Sequence, residues 1–180
     1  MPTTIKPIQT RYKNCKFRSR LEARWAVFFD HCGLEWQYEP EGFELAEETN
    51  NFAYMPEEWD GRYLPDFYLP AWDMWVEIKA VLPVDHFDIT MDEVKVWCLS
   101  KHTGKRAVLL VGPPDFSAVS SEAIIGESVP RMNRWVDPLA MFVMGCDYSK
   151  AIPGPTKSMV ANSTRAAMSA RFEFGESGAV

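Results

Sequence analysis

The chain has 180 residues, 47% hydrophobic and 24% charged, which suits a single globular domain with a real core and is too short for two comfortable ones. Its longest apolar runs, at 108–111 and 138–146, fall far short of the roughly 20 residues that span a bilayer, and its first residues do not read as a secretory signal. The net charge of −6 argues against a protein whose whole surface attracts a polyanion.

That charge is unevenly spread. Nine of the 25 acidic residues and none of the 19 basic ones fall between Glu35 and Asp60, so the rest of the chain holds 19 bases against 16 acids. The segment from Arg11 to Arg24 carries Arg11, Lys13, Lys16, Arg18, Arg20 and Arg24 against the single acid Glu22. A basic N-terminal face beside an acidic flap suits local binding of a phosphate backbone, with Lys13, Lys16, Arg18, Arg20 and Arg24 as the expected contacts. Cys15, Cys32, Cys98 and Cys146 form no CxxC pair and have no histidine at zinc-site spacing. They read as thiols of a reducing compartment, so a cytoplasmic location is expected.

In chain order, the first element is a helix at about 19–32. Ser19 and Glu22 have capping-box spacing, Leu21, Trp25, Phe28, Phe29 and Cys32 form an apolar stripe, and Gly33 ends it. Glu22 falls at the edge of that stripe, from where it can point along the buried face. A strand follows near Glu35–Tyr38 and resumes near Phe43–Leu45, ahead of an acidic excursion. Arg62–Leu69 and Met74–Val81 are rich in aromatic and β-branched residues and read as two strands joined by 70–73. A helix is expected at about 91–103, between a Thr90/Glu93 capping box and Gly104, and a buried strand at Arg106–Val111. Further strands are expected near 131–145 and a final helix at about 157–173, with Ala161, Met168 and Phe172 on its apolar face. The order over 19–111 is αβββαβ, a mixed α/β arrangement around a four-stranded sheet.

The hairpin carries the chemistry. A four-residue connection at 70–73 pairs Leu69 with Met74, Tyr68 with Trp75, Phe67 with Val76 and therefore Asp66 with Glu77. The two carboxylates then share one face with Cβ atoms about 5 Å apart, and Lys79 lies on that face about 7 Å further along. Facing carboxylates destabilise a bare sheet, and a hard divalent cation such as Mg²⁺ (or Mn²⁺) reverses the sign. A cation between Asp66 and Glu77, with Lys79 beside it to orient or deprotonate water or to stabilise the oxyanion, suits phosphodiester hydrolysis. Glu22 is a possible fourth group. Trp59 and Trp72, in loops near the hairpin, are candidates for stacking on bases.

Leu64-Pro65-Asp66-Phe67, then Val76-Glu77-Ile78-Lys79, preceded by the helical Phe17-Arg18-Ser19-Arg20-Leu21-Glu22, resembles the PD-(D/E)XK nuclease superfamily. The likeness is greatest to small phage and prophage endonucleases, including the junction-resolving type. It covers roughly 13–112, and 113–180 would be a C-terminal extension of the same domain. The resemblance implies a restriction-endonuclease-like core and a Mg²⁺- or Mn²⁺-dependent endonuclease acting on DNA, in a bacterial host cytosol if phage-encoded. It implies Asp66 and Glu77 as metal ligands, the Ile78 backbone carbonyl as a third, Lys79 as the catalytic lysine and Glu22 as the helix acid. Ala80 stands where many relatives carry glycine, and the acidic insert at 39–60 exceeds a minimal member, as a substrate-gating flap or part of a homodimer interface would. The competing readings are a structure-selective resolvase of four-way junctions, a non-catalytic nucleic-acid-binding module, and an acidic DNA mimic.

Overall fold

In a computed structural model, residues 7–51, 59–81, 90–115, 122–126, 134–136 and 155–172 are described. The basic run does not lead straight into the first helix. It forms a hairpin, β1 (Thr10–Tyr12) and β2 (Cys15–Phe17), whose turn places Lys13 at φ 51°. Tyr12 and Phe17 turn inward and Arg11 and Lys16 outward. Helix α1 (Arg20–His31) follows, with the Ser19 hydroxyl accepting from the Glu22 N–H and Gly33 at φ 70° just past its end.

The central sheet is mixed: the four expected strands lie side by side in it, and among the described residues two later strands extend it to six. Its order is β10-β9-β8-β7-β6-β3, from β3 (Gln37–Tyr38), β6 (Phe67–Leu69), β7 (Met74–Lys79), β8 (Arg106–Val111), β9 (Glu122–Gly126) and β10 (Arg134–Val136). Among the described residues only the β7–β8 contact is parallel, bridged by α2 (Met91–Thr103). The order α1-β3-β6-β7-α2-β8 is the anticipated αβββαβ; β10 falls in the region 131–145 where further strands were expected, the rest of which lies outside the described residues, and β9 is an additional strand. The expected strand 62–69 is split. β5 (Arg62–Tyr63) pairs with β4 (Phe43–Glu44) in a separate two-stranded sheet, and pairing on the central sheet resumes only at Phe67. Pro65 accounts for the break, having no N–H for a ladder and restricting Leu64 before it.

Strand alternation sorts β7 between two cores. Met74, Val76 and Ile78 join Phe67, Leu69, Val108 and Leu110 beneath α1 and α3 (Lys157–Ser169), with Trp25, Phe28 and Phe29 fully buried among them. Trp75, Ala107, Leu109 and Val111 meet α2 on the opposite face. Burying one such aromatic or aliphatic side chain contributes about 2 kcal/mol, so these two layers dominate stability. The last helix ends at Ser169, before the expected 173, and its face differs in part from expectation: Phe172 is buried as expected, but Val160, Ser163 and Ala167 face α1, while Ala161 and Met168 are exposed. The small Ser163 and Ala167 admit α1 closely, and the Cys32 thiol lies 3.3 Å from the Ser163 hydroxyl.

The acidic segment packs down where it is described. Leu45 is fully buried, Phe43 meets Trp75 edge-on with centroids 5.0 Å apart, and Glu48 pairs with His102 of α2 at 2.9 Å. Gly61, at φ 79°, passes so close to Ala46 that a Cβ would stand 2.9 Å from it, so only glycine fits. Cys15, Cys32 and Cys98 are free thiols, and Cys146 lies outside the described residues. Among the described residues no helix is long and apolar enough to cross a membrane.

Candidate active site

The β6–β7 hairpin has the register the sequence predicts, with Phe67 opposite Val76, Tyr68 opposite Trp75 and Leu69 opposite Met74. Its connection is a 3-10 turn, Pro70–Trp72, closed by Asp73 at φ 48°, a left-handed position that Asp tolerates. Continuing the register, Asp66 stands across from Glu77. Both are buried, at 4% and 6% exposure.

Each carboxylate oxygen has a partner. Asp66 Oδ2 accepts the Ile78 N–H at 2.8 Å, and its Oδ1 lies 3.1 Å from Arg18 Nη2. Glu77 Oε2 accepts from the Tyr63 hydroxyl at 2.9 Å, and its Oε1 pairs with Lys79 Nζ at 2.8 Å. Lys79 also reaches Asp92 Oδ1, in the first turn of α2, at 3.3 Å. Burial, then the negative charge of Glu77 and Glu22, pushes the Asp66 carboxyl well above the usual aspartate range, against the pull of the Ile78 N–H and Arg18. For Lys79, burial works to lower the value, but Glu77, Asp92 and Asp66 outweigh it and hold the ammonium above the ordinary lysine range. Burial and Glu77 keep Tyr63 a neutral phenol, a hydrogen-bond donor to that carboxylate.

The main chain supplies one more oxygen beside this pair. The Lys79 carbonyl accepts from the Gly112 N–H at 2.8 Å, on the β8 side. Successive peptide groups of a strand alternate, and the Ile78 N–H faces Asp66, so the Ile78 carbonyl also turns towards β6. Two carboxylates and a carbonyl form a hard oxygen set of the kind Mg²⁺ takes, since it keeps several waters and needs only one or two protein carboxylates. The partners already present do not exhaust the lone pairs of those oxygens. Among the described residues no three Asp, Glu, His or Cys side chains converge as a metal-holding group, so the fit rests on this smaller set.

Glu22 is close but not a member of the pair. Its Oε1 accepts from the Ser19 hydroxyl at 2.6 Å, and its Oε2 accepts from the Tyr38 hydroxyl at 2.5 Å and the Arg18 N–H at 3.1 Å. The reciprocal half of a capping box, to the Ser19 N–H, is not what this carboxylate makes. Glu22 is tied to Asp66 through Arg18, whose Nε also pairs with Glu39 at 2.5 Å.

The other expected nucleic-acid contacts divide. Lys13 pairs with Asp30 at 2.8 Å, and Arg24 donates to the Ala167 and Met168 carbonyls at 3.0 and 2.7 Å, closing the end of α3. Lys16 is exposed and directly opposite exposed Arg11, while half-buried Arg20 sits close enough to depress the Arg24 guanidinium after burial has done so. Trp72 is buried in the α1-side core, and half-buried Trp59 donates to the Arg62 carbonyl. Tyr63, Asp92, Tyr38 and Glu39 escape the sequence reading. Asp92 had a signal, as an acid in the first turn beside Glu93, whose capping role leaves Asp92 unassigned; the other three meet the site only through tertiary packing.

No protein-family model, curated protein or solved structure matches the chain.

Proposed function

We propose that the chain is a divalent-metal-dependent DNA endonuclease of the PD-(D/E)XK type. The observation that carries this reading is the buried Asp66–Glu77 pair with the Lys79 ammonium against it, at one end of two neighbouring interior strands of a mixed sheet. A structural role alone gives no reason to bury two facing carboxylates, since the arrangement costs stability until a cation offsets it. Asp66, Glu77 and the Ile78 carbonyl would hold Mg²⁺ or Mn²⁺, which supplies Lewis acidity and a lowered water pKa for phosphodiester hydrolysis.

The chain's own groups do the rest. Lys79, kept charged by Glu77 and Asp92, stabilises negative charge developing on the phosphoryl oxygens and orients the attacking water. Its raised pKa makes it a cationic stabiliser more than a proton acceptor. Tyr63 fixes one oxygen of Glu77 and leaves the other towards Lys79. Arg11, Lys16 and Arg20 hold the phosphate backbone beside α1 without reading bases. Facing like charges at Arg11 and Lys16 are unfavourable in the free chain, and a polyanion relieves them.

The purified chain incubated with linear, nicked, single-stranded and four-way DNA should cut at least one of them with Mg²⁺ or Mn²⁺ and none in chelator. Cleavage that persists in chelator, or an absence of cleavage on all four, contradicts the proposal, and the preferred substrate distinguishes a general endonuclease from a resolvase.

A further inference from the structure

Asp66 is not bare. Arg18 covers it from the solvent side, with Nη2 3.1 Å from Asp66 Oδ1 and Nε 2.5 Å from Glu39 Oε1. The two ends of this arginine are held differently. Its main chain is anchored, the N–H being shared between Glu22 Oε2 at 3.1 Å and the Tyr38 hydroxyl at 3.0 Å. Its side chain is 55% exposed, against 5% for that of Asp66, so the guanidinium has water to move into while the backbone stays put.

The loop is arranged around this contact. Glu39 adopts φ 45°, a left-handed conformation that residues other than glycine take at a cost and that persists only where the surroundings enforce it. In that conformation its N–H donates to the Asp66 carbonyl at 2.9 Å and its carboxylate receives Arg18. One strained residue thus aligns both the guanidinium and the peptide that carries Asp66.

We propose that Arg18 is the internal counter-ion of the site. It neutralises Asp66 while no divalent cation is bound, competes with the cation for Asp66 Oδ1, and swings into solvent when the cation binds. This rests on the metal-site reading above. A guanidinium and a divalent cation on the same carboxylate oxygen repel each other, so even with a lone pair to spare each weakens the other's hold on Asp66, and cation binding favours Arg18 turning out into water. The chain therefore trades cation affinity for a site that does not repel itself when empty.

Calorimetric titration of Mn²⁺ into the wild type, Arg18→Met, Glu39→Gln and Asp66→Asn tests this without any turnover. Arg18→Met should bind Mn²⁺ about tenfold more tightly, and Glu39→Gln, which loosens Arg18 without removing it, a few-fold more tightly. Asp66→Asn should lose binding. Arg18→Met should also melt lower than wild type in chelator and match it in saturating Mn²⁺. Should Arg18→Met fail to fold, Glu39→Gln and Arg18→Lys, which keeps one charge but not the fork, carry the same comparison. Unchanged or weaker binding in the Arg18 and Glu39 variants, with Asp66→Asn still defective, overturns the counter-ion role and leaves the metal site standing. No Mn²⁺ binding by the wild type overturns both.

Discussion

Replacing Asp66 by Asn removes one of two facing charges while keeping the side chain's shape and an acceptor for the Ile78 N–H. Two unit charges about 5 Å apart repel by roughly 3 kcal/mol at an effective dielectric constant of ~20. Arg18 returns part of this, but its guanidinium is half exposed, so that ion pair contributes at most about 1 kcal/mol. The variant should therefore be more stable than wild type by about 2 kcal/mol in chelator at neutral pH, or roughly 4–8 °C in Tm for a chain of this size. The sign follows the carboxyl's titration. Its folded pKa is raised, so wild-type stability is favoured while the group stays protonated and is lost as pH rises above the unfolded value through the folded one. The advantage of Asp66→Asn should accordingly grow as pH rises above about 4 and level off only once the raised folded value is passed. Adding Mg²⁺ at about 100 times its Kd should stabilise wild type by about 2.7 kcal/mol and the variant hardly at all, closing or reversing the gap. Thermal melts of both proteins with chelator and with Mg²⁺ measure this. A variant less stable than wild type in chelator, or equally stabilised by Mg²⁺, refutes the reasoning.

The remaining sites give sharper local outcomes. Glu22→Gln places an amide where a carboxylate accepts from Ser19, Tyr38 and the Arg18 N–H, so it should cost about 1–3 kcal/mol in denaturant unfolding, whereas Tyr38→Phe should cost only about 1. Lys79→Met should lower kcat by about 10² or more with little change in DNA affinity, and Asp92→Asn should lower it less, because Glu77 still holds the lysine. The double variant Arg11→Ala/Lys16→Ala should flatten the log–log salt dependence of DNA binding by nearly two units, equally for all sequences; an unchanged slope places the duplex elsewhere. Arg24→Met should loosen α3 and lower stability by about 1 kcal/mol without altering that slope.

The hairpin was legible because its signals are local. Pro70 and Asp73 fix a four-residue connection, and once Leu69 meets Met74 the two-residue period of a strand brings Asp66 to Glu77 and puts Lys79 beside them. The caps of α1 and α2 were legible for the same reason, being set by Ser19, Thr90 and Glu93 within a few residues of the helix start. The β1–β2 hairpin was not, because three-residue strands bearing Arg11 and Lys16 have too little apolar pattern to distinguish from a charged loop. On α3 the buried stripe runs through Ser163 and Ala167, which close contact with α1 selects for size and which a hydrophobic pattern passes over. Arg18 looked like a phosphate contact in the sequence. Its actual partners, Asp66 and Glu39, lie 48 and 21 positions away, and only the folded β3–β6 edge brings them to it.

The central claim is that Asp66, Glu77 and Lys79 form a metal-dependent hydrolytic centre. It is tested most directly by nicking of supercoiled plasmid DNA in Mg²⁺, with wild type, Glu77→Gln and Lys79→Met purified side by side. The account predicts nicking by the wild type, abolished by chelator, and at least 10²-fold slower nicking by either variant with its circular dichroism unchanged. Nicking at the wild-type rate by Glu77→Gln or Lys79→Met would contradict it.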